Sequence, residues 1–231
     1  MNAHDRRIRI DMHTHSEYSP DSRTPLAEQA RAVRAAGLDV VCATDHNVIA
    51  GALRLREMAE GFRVIVGEEI STRDGELIGL FLEREIPRDL TGEETIARIR
   101  EQGGVVVVPH PFSRNRIYHL RREALDRLWP KVDAIEVFNA REAFAGDNRR
   151  AAVYAAERDL AGAAGSDAHR PAEVGRAYVE MADFAGRDDF VAALRAGTAQ
   201  GTLSGARVHV LTRYDRIRKW LARRKTASDV R

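Results

Sequence analysis

Arg7-Ile-Arg-Ile-Asp-Met-His-Thr-His15 is the stretch on which the architecture turns. Ile8, Ile10 and Met12 alternate with polar residues, the pattern of a half-buried β-strand. The run ends on two imidazoles one residue apart. In extended backbone, residues i and i+2 point to the same side, so His13 and His15 can grip one ion together as the strand closes. A carboxylate, Asp21, follows within loop reach.

The same rhythm continues along the chain. Thr24-Pro25-Leu26 opens a helix with Thr24 as N-cap and Pro25 at the first helical position. Leu26, Ala30, Val33 and Ala36 form its apolar stripe, and Gly37 ends it. Further strands are read at residues 39–44, 62–66, 76–82, 105–108, 134–138, 161–165 and 177–180. Helices are read at 50–60, 91–102, 120–128, 141–158 and 188–196. Strands alternating with helices, several strands apolar throughout, predict a parallel sheet covered by helices. Seven or so such units in roughly 200 residues fit a small closed or distorted α/β barrel. The reading is one domain, residues 1–206, followed by a basic extension, 207–231.

The 231 residues are 44 % hydrophobic and 31 % charged, ordinary for a globular protein, with a net charge of +2. That small net charge hides a division. Residues 207–231 hold nine Lys/Arg against two Asp/Glu, so the remainder is net acidic and any general affinity for nucleic acid would have to come from the tail. Val210, Tyr214, Ile217 and Leu221 share one helical stripe there. The tail is expected to dock this stripe on the barrel, or else to contact RNA or an acidic membrane surface. No apolar run of about 18 residues exists to span a membrane, and the N-terminus lacks the apolar core of a secretory signal. The single cysteine, Cys42, sits in an apolar run and reads as a small buried hydrophobe. The expected location is the cytoplasm.

Ligand-type residues recur at the ends of the strands: His13, His15 and Asp21; Asp45 and His46; Glu68 and Glu69; Glu76; His110; Glu136, Asn139 and Arg141; Asp167, His169 and Arg170. Any one of them alone reads equally well as a helix cap or a surface pair. Jointly they do not, because five of the eight histidines fall at strand ends. In a parallel barrel these ends converge on one face. Histidine and carboxylate without thiolate suit Zn²⁺, Mn²⁺ or Fe²⁺, and the ligands are too many for one tetrahedral ion.

His13-Thr-His15, Thr44-Asp-His46, Gly67-Glu-Glu69, Pro109-His-Pro111 and Gly165-Ser-Asp-Ala-His169 resemble the successive motifs of the PHP (polymerase and histidinol phosphatase) family, in its short stand-alone branch. The resemblance spans residues 8 to about 180. It implies a distorted (β/α)7 barrel holding two or three divalent metal ions, and a phosphoesterase activity. Carried over, it implies that His13, His15, Glu69 and Asp167 hold a first ion. Glu69 would bridge to a second, shared with His110, and Asp21, His46 and His169 would hold a third. Many relatives carry a histidine on the strand after the Gly-x-Glu motif; the nearest candidate here is Glu76, a carboxylate that would favour a harder ion such as Mn²⁺.

The expected reaction is hydrolysis of a phosphate ester by a metal-activated water. The substrate would be a nucleotide, a short oligonucleotide or a small phosphorylated metabolite. Asp45 would orient a ligand from behind. Arg114, Arg141 and Arg170 each follow a motif closely and could clamp the phosphate. The competing readings are a metal-dependent hydrolase of a C–N or C–O bond and a non-catalytic metal or nucleotide sensor.

Overall fold

The computed structural model describes residues 6–116, 118–205 and 207–228. Its strands are β1 (Arg7–Thr14), β2 (Val40–Ala43), β3 (Arg63–Ser71), β4 (Glu76–Leu80), β5 (Val105–Val108), β6 (Ala134–Asn139), β7 (Ala161–Gly165), β8 (Ala177–Ala182) and β9 (Thr198–Gly201). The helices are α1 (Leu26–Ala35), α2 (Ala50–Met58), α3 (Gly92–Glu101), α4 (Arg122–Leu128), α5 (Ala145–Ala156), α6 (Arg187–Arg195) and α7 (Arg207–Ser228).

All nine strands form one sheet in the order β7-β6-β5-β4-β3-β2-β1-β8-β9. It curls into a nearly closed barrel: past the end of β7, Asp167 N–H donates to the His13 carbonyl at 2.7 Å and His15 N–H to the Ala168 carbonyl at 2.9 Å. The sheet is not wholly parallel, which corrects the sequence expectation. β4 runs antiparallel to both β3 and β5, and β8 antiparallel to β1 and β9. The reason at β4 is local. Only Thr72-Arg-Asp-Gly75 joins it to β3, and Thr72 N–H closes that turn on the Gly75 carbonyl; a parallel crossover needs a dozen or more residues.

The period of two divides the buried residues into two layers. Val40 and Cys42 of β2 pack inside the barrel with Ile8, Ile10, Met12, Ile78 and Val107. Val41 and Ala43 face outward to Val33 of α1 and Leu55 of α2. Cys42 is a free, fully buried thiol in the inner layer, as read from the sequence. Phe184, with Phe190 and Leu194 of α6, packs against that inner layer.

Helix boundaries follow capping chemistry. Thr91 makes a full capping box with Glu94 at the start of α3. Thr24 does not cap α1, because its hydroxyl donates instead to the His169 carbonyl at 2.8 Å. That bond ties the first motif loop to the last. No helix among the described residues is long and apolar enough to cross a membrane.

The last helix departs from expectation in its orientation. α7 meets the barrel through Val208, Thr212, Asp215 and Lys219, while Val210, Tyr214, Ile217 and Leu221 lie more than half exposed. Both sets have helical spacing. The barrel rim offers guanidiniums and carbonyls rather than apolar surface, so the polar stripe is the one that docks. Residues 229–231 of the tail lie outside the described residues.

Candidate metal centre

β1 delivers two histidines because its regularity breaks. A strict alternation from Ile8 through Met12 would send Thr14 into the barrel. Instead the pairing with β2 shifts register between Asp11 and Thr14, the kind of irregularity that re-aims side chains near functional sites. The Thr14 hydroxyl donates to the Cys42 carbonyl and accepts from Gln29 of α1, and the two imidazoles turn toward the cluster. His13 Nε2 and His15 Nε2 come within 3.0 Å of each other.

Glu69, near the end of β3, stands among four imidazoles. Its Oε2 lies 3.3 Å from His13 Nε2, 3.3 Å from His15 Nε2 and 3.0 Å from His46 Nδ1, and its Oε1 lies 3.0 Å from His110 Nε2. Asp167 Oδ1 is 3.4 Å from His15 Nε2 and 3.9 Å from His13 Nε2. On the far side of His15, Asp21 Oδ1 is 3.2 Å from His169 Nε2 and Asp21 Oδ2 is 3.7 Å from His46 Nε2. Glu76, at the start of β4, places its oxygens 3.8 Å from His110 Nε2 and 3.9 Å from His46 Nδ1. All nine proposed ligands therefore meet in one cluster at the rim of the barrel. His110 and Asp167 reach it at φ 29° and 52°, left-handed values that cost a non-glycine residue about 1–3 kcal/mol and concentrate at functional sites.

These spacings suit divalent ions. Ligand bonds of about 2.0–2.2 Å around a tetrahedral ion place the ligand atoms roughly 3.3–3.6 Å apart. Four triads of ligand atoms fall within 4.8 Å: His13, His15 and Asp167; His13, Glu69 and His110; His46, Glu69 and Glu76; and His15, His46 and His169. Glu69 Oε2, Asp167 Oδ1 and Asp21 Oδ1 are buried and face imidazole nitrogens without a well-aligned hydrogen bond. A buried charged acceptor left unsatisfied is costly, and cations at these points would satisfy all three.

The protonation pattern agrees. Burial depresses His13, but Glu69, Asp167 and Glu136 together hold it well above the ordinary range. Burial likewise opposes charge on His46, yet Glu69 and Asp21 push it up to about 10. Burial and Glu69 push Glu76 up to about 8. At neutral pH all three therefore carry protons, which a bound ion must displace. Metal addition at pH 7 is expected to release protons, and affinity should rise as pH climbs toward 8–10 and these groups deprotonate on their own. Calorimetric titration with Mn²⁺ in buffers of different ionisation enthalpy measures the release; a buffer-independent heat would contradict it.

Several residues stand behind the ligands, and for Glu136, a strand-end acid in the sequence, the supporting role shows only in the structure. Glu136, in β6, lies 3.2 Å from His13 Nδ1 through Oε1, and its Oε2 accepts from the His110 backbone N–H at 2.8 Å and from Asn139 at 3.0 Å. It thus orients two ligands at once, the usual role of a carboxylate behind a metal-binding histidine. The available signal was a lone acid inside the apolar strand Ala134-Ile-Glu-Val-Phe138. Asp45 acts through an intermediary: it accepts from Ser16 and from the Ser19 hydroxyl at 2.7 Å, and Ser19 Oγ lies 3.0 Å from His15 Nδ1. Glu136→Ala is expected to lower metal affinity about 10- to 100-fold with the fold retained, read by metal analysis after dialysis against a graded chelator.

The centre opens into a cavity of about 680 Å³ lined by Asp21, His46, Glu76, His169, Arg116, Arg141, Arg213 and Arg216 among others. The three arginines expected at the phosphate divide. Arg141 borders this cavity, but it is buried and its terminal Nη groups donate to Thr212 and to the Val208 and Asp167 carbonyls. Arg170 pairs with Asp215 of α7. Arg114 points away, to Asp147 of α5 and over the Phe144 ring. Arg116, two residues on, is the one that reaches the centre, where it binds Asp167 Oδ2. Burial opposes its charge, but Asp167 and Glu142 raise its pKa further still.

The PHP domain model matches residues 11–128, and a PHP-associated model matches residues 145–199. The chain belongs to the PHP family. An uncharacterized protein of Methanocaldococcus jannaschii is 38 % identical to this PHP protein over 181 residues, 76 % of this chain and 71 % of that one. A second from the same organism is 37 % identical over 146 residues, 58 % of this chain and 82 % of that one. Among solved structures, PsfC from Pseudomonas syringae superposes with a TM-score of 0.68 at 21 % identity, over 91 % of this chain and 98 % of its own. A two-domain protein from Bacteroides vulgatus containing a predicted PHP-like metal-dependent phosphoesterase gives 0.72 at 20 % identity over 85 % of this chain. The PHP protein described here spans 65 % of that longer chain. At such identities the structural likeness speaks for the fold.

Proposed function

We propose that this PHP protein is a metal-dependent hydrolase of phosphate esters, acting on a nucleotide, a short oligonucleotide or a small phosphorylated metabolite. The observation that carries the reading is the coincidence of a buried histidine–carboxylate cluster with a cavity whose other wall is cationic, Arg116, Arg141, Arg213 and Arg216. Metal ligands need not sit beside guanidiniums unless the substrate is an anion.

His13, His15, Glu69 and Asp167 would hold one ion, Glu69, His110 and Glu76 a second, and Asp21, His46 and His169 a third. Bound there, divalent ions supply a water of lowered pKa, from about 15.7 toward roughly 7, and neutralise phosphoryl charge. The remainder falls to the chain. Glu136 holds His13 and the His110 backbone in register. The Asp45–Ser19 pair fixes the ring of His15. The nearly complete burial of His13, His15, Glu69 and His110 keeps bulk water from the inner part of the cluster, and low local polarity strengthens every charge interaction inside it.

The test is metal analysis of the purified protein, then a panel of phosphomonoesters, phosphodiesters, nucleotides and short RNAs with added Mn²⁺. Turnover of a phosphate ester that disappears on chelation is the expected result. Turnover confined to amides or carboxylic esters would replace the reading with hydrolysis of a C–N or C–O bond.

A further inference from the structure

We propose that α7 is the cationic wall of the substrate cavity, its Arg213 and Arg216 binding an anionic group of the substrate together with Arg116, while Arg141 and Arg170 serve to hold the helix in place. The inference rests on the phosphoesterase reading for the nature of the ligand and goes beyond it in naming where the anion is held.

The helix is fastened to three loops, two of which also carry ligands. Arg141, just past β6, donates to Thr212 Oγ1 at 2.7 Å and to the Val208 carbonyl at 3.3 Å. Arg170, the residue after His169, pairs with Asp215, and Arg23 approaches the same carboxylate at 3.9 Å. Lys219 Nζ donates to the carbonyls of Glu17 and Ser19, in the loop leading to Asp21, at 2.5 and 2.6 Å. Every one of these contacts comes from the stripe Thr212, Asp215 and Lys219 together with the helix's first-turn carbonyl. The helix is thus set across the mouth of the metal centre, with Asp215 buried beneath it.

That placement leaves the flank bearing Arg213 and Arg216 against the cavity. Both side chains are exposed. Neither has a carboxylate within ion-pair distance among the described residues, and Asp215, the one acid on the described helix, is already engaged. The acids on the cavity wall are Asp21 and Glu76, both in the ligand cluster and so neutralised when it is loaded. What then faces a ligand is Arg213 and Arg216, with no acid of their own, beside Arg116, which is already paired with Asp167; all three present planar donors suited to phosphate oxygens. The family models end at residue 199, before α7 begins. Arg213 and Arg216 therefore lie outside the matched family segments.

The experiment is calorimetric titration of the Mn²⁺-loaded full chain with inorganic phosphate, comparing the parent with R213A/R216A, R213K/R216K and R218A. Losing both arginines should weaken phosphate binding at least about tenfold, since charge-assisted hydrogen bonds from guanidinium to phosphate are the strong ones. Metal content should stay unchanged. The lysine pair should retain part of the affinity. R218A, on the same helix but not lining the cavity, should bind as the parent does. With a turned-over ester, R213A/R216A should raise KM by a similar factor while kcat moves little. Unchanged phosphate affinity in R213A/R216A would overturn the inference, as would an equal loss in R218A. Phosphate binding that depends on these two arginines in a protein that hydrolyses no phosphate ester would sink the enzymatic reading while leaving the cationic wall standing.

Discussion

Glu69→Gln is expected to lower metal affinity by well over about 100-fold and to abolish turnover, with the fold intact. Loss of a supporting group behind one ligand costs about 10- to 100-fold, and Glu69 is no supporting group. Its two oxygens face His13, His15, His46 and His110 at 3.0–3.3 Å. A glutamine of the same shape removes the negative charge and presents an amide N–H₂ to one set of imidazoles, so at least two ion positions are damaged together. Burial opposes ionisation of Glu69, yet His13, His46 and the His110 hydrogen bond keep its pKa well below the ordinary value. The native cluster is thus built around a carboxylate that stays charged. Metal analysis with far-UV circular dichroism separates loss of ions from loss of fold. A Glu69→Gln protein that keeps its metal and its turnover would remove the basis for the centre.

Gly165→Ala is expected to destabilise the barrel by about 3 kcal/mol and lower Tm by roughly 6–12 °C, as overpacking of a tight core does in a chain of this length. Gly165 ends β7 where the barrel closes on β1. A Cβ there would lie 2.3 Å from His13 Cβ, 2.7 Å from Glu136 Oε1 and 2.9 Å from His13 N. None of these is the far end of a flexible chain: the first and last belong to the closing strand, and Glu136 is pinned by His13, Asn139 and the His110 backbone. The strain should appear as function too, since moving His13 by a few tenths of an ångström disturbs two of the ligand triads. Thermal unfolding and metal content, measured together, should both fall. A Tm equal to that of the parent would mean that the β7–β1 seam is looser than the contacts require.

Much of this site was legible before any coordinates. The five motifs sit at strand ends, and a parallel core gathers strand ends on one face whatever the lengths between them, so His13, Glu69, His110 and Asp167 could be placed in one pocket from spacing and family resemblance alone. Cys42 as a buried hydrophobe and the helix that begins at Thr91 followed from local chemistry. β4 was found as a strand, but its direction was missed, although Asp74-Gly75 marks the tight turn that reverses it. β9 was missed because Thr198-Ala-Gln-Gly201 has no apolar alternation and is largely exposed.

The arginines show where local reading ends. Arg114, Arg141 and Arg170 each stand close in sequence to a motif, but a guanidinium on a long flexible stem goes to whichever carboxylate or carbonyl the folded chain brings near. Asp147 takes Arg114, Asp215 takes Arg170, and Thr212 with two carbonyls takes Arg141. The tail carried two stripes of helical period, and nothing in the period says which one meets the barrel. The amino-acid sequence by itself determined which histidines and carboxylates stand at strand ends, the strand-and-helix rhythm and the buried face of most elements, because those depend on residue type and short-range spacing. Only the tertiary structure decided the antiparallel β4, the register shift that aims His13 and His15, the choice of Arg116, and the docking of α7 by its polar side, because each depends on partners that folding alone brings together.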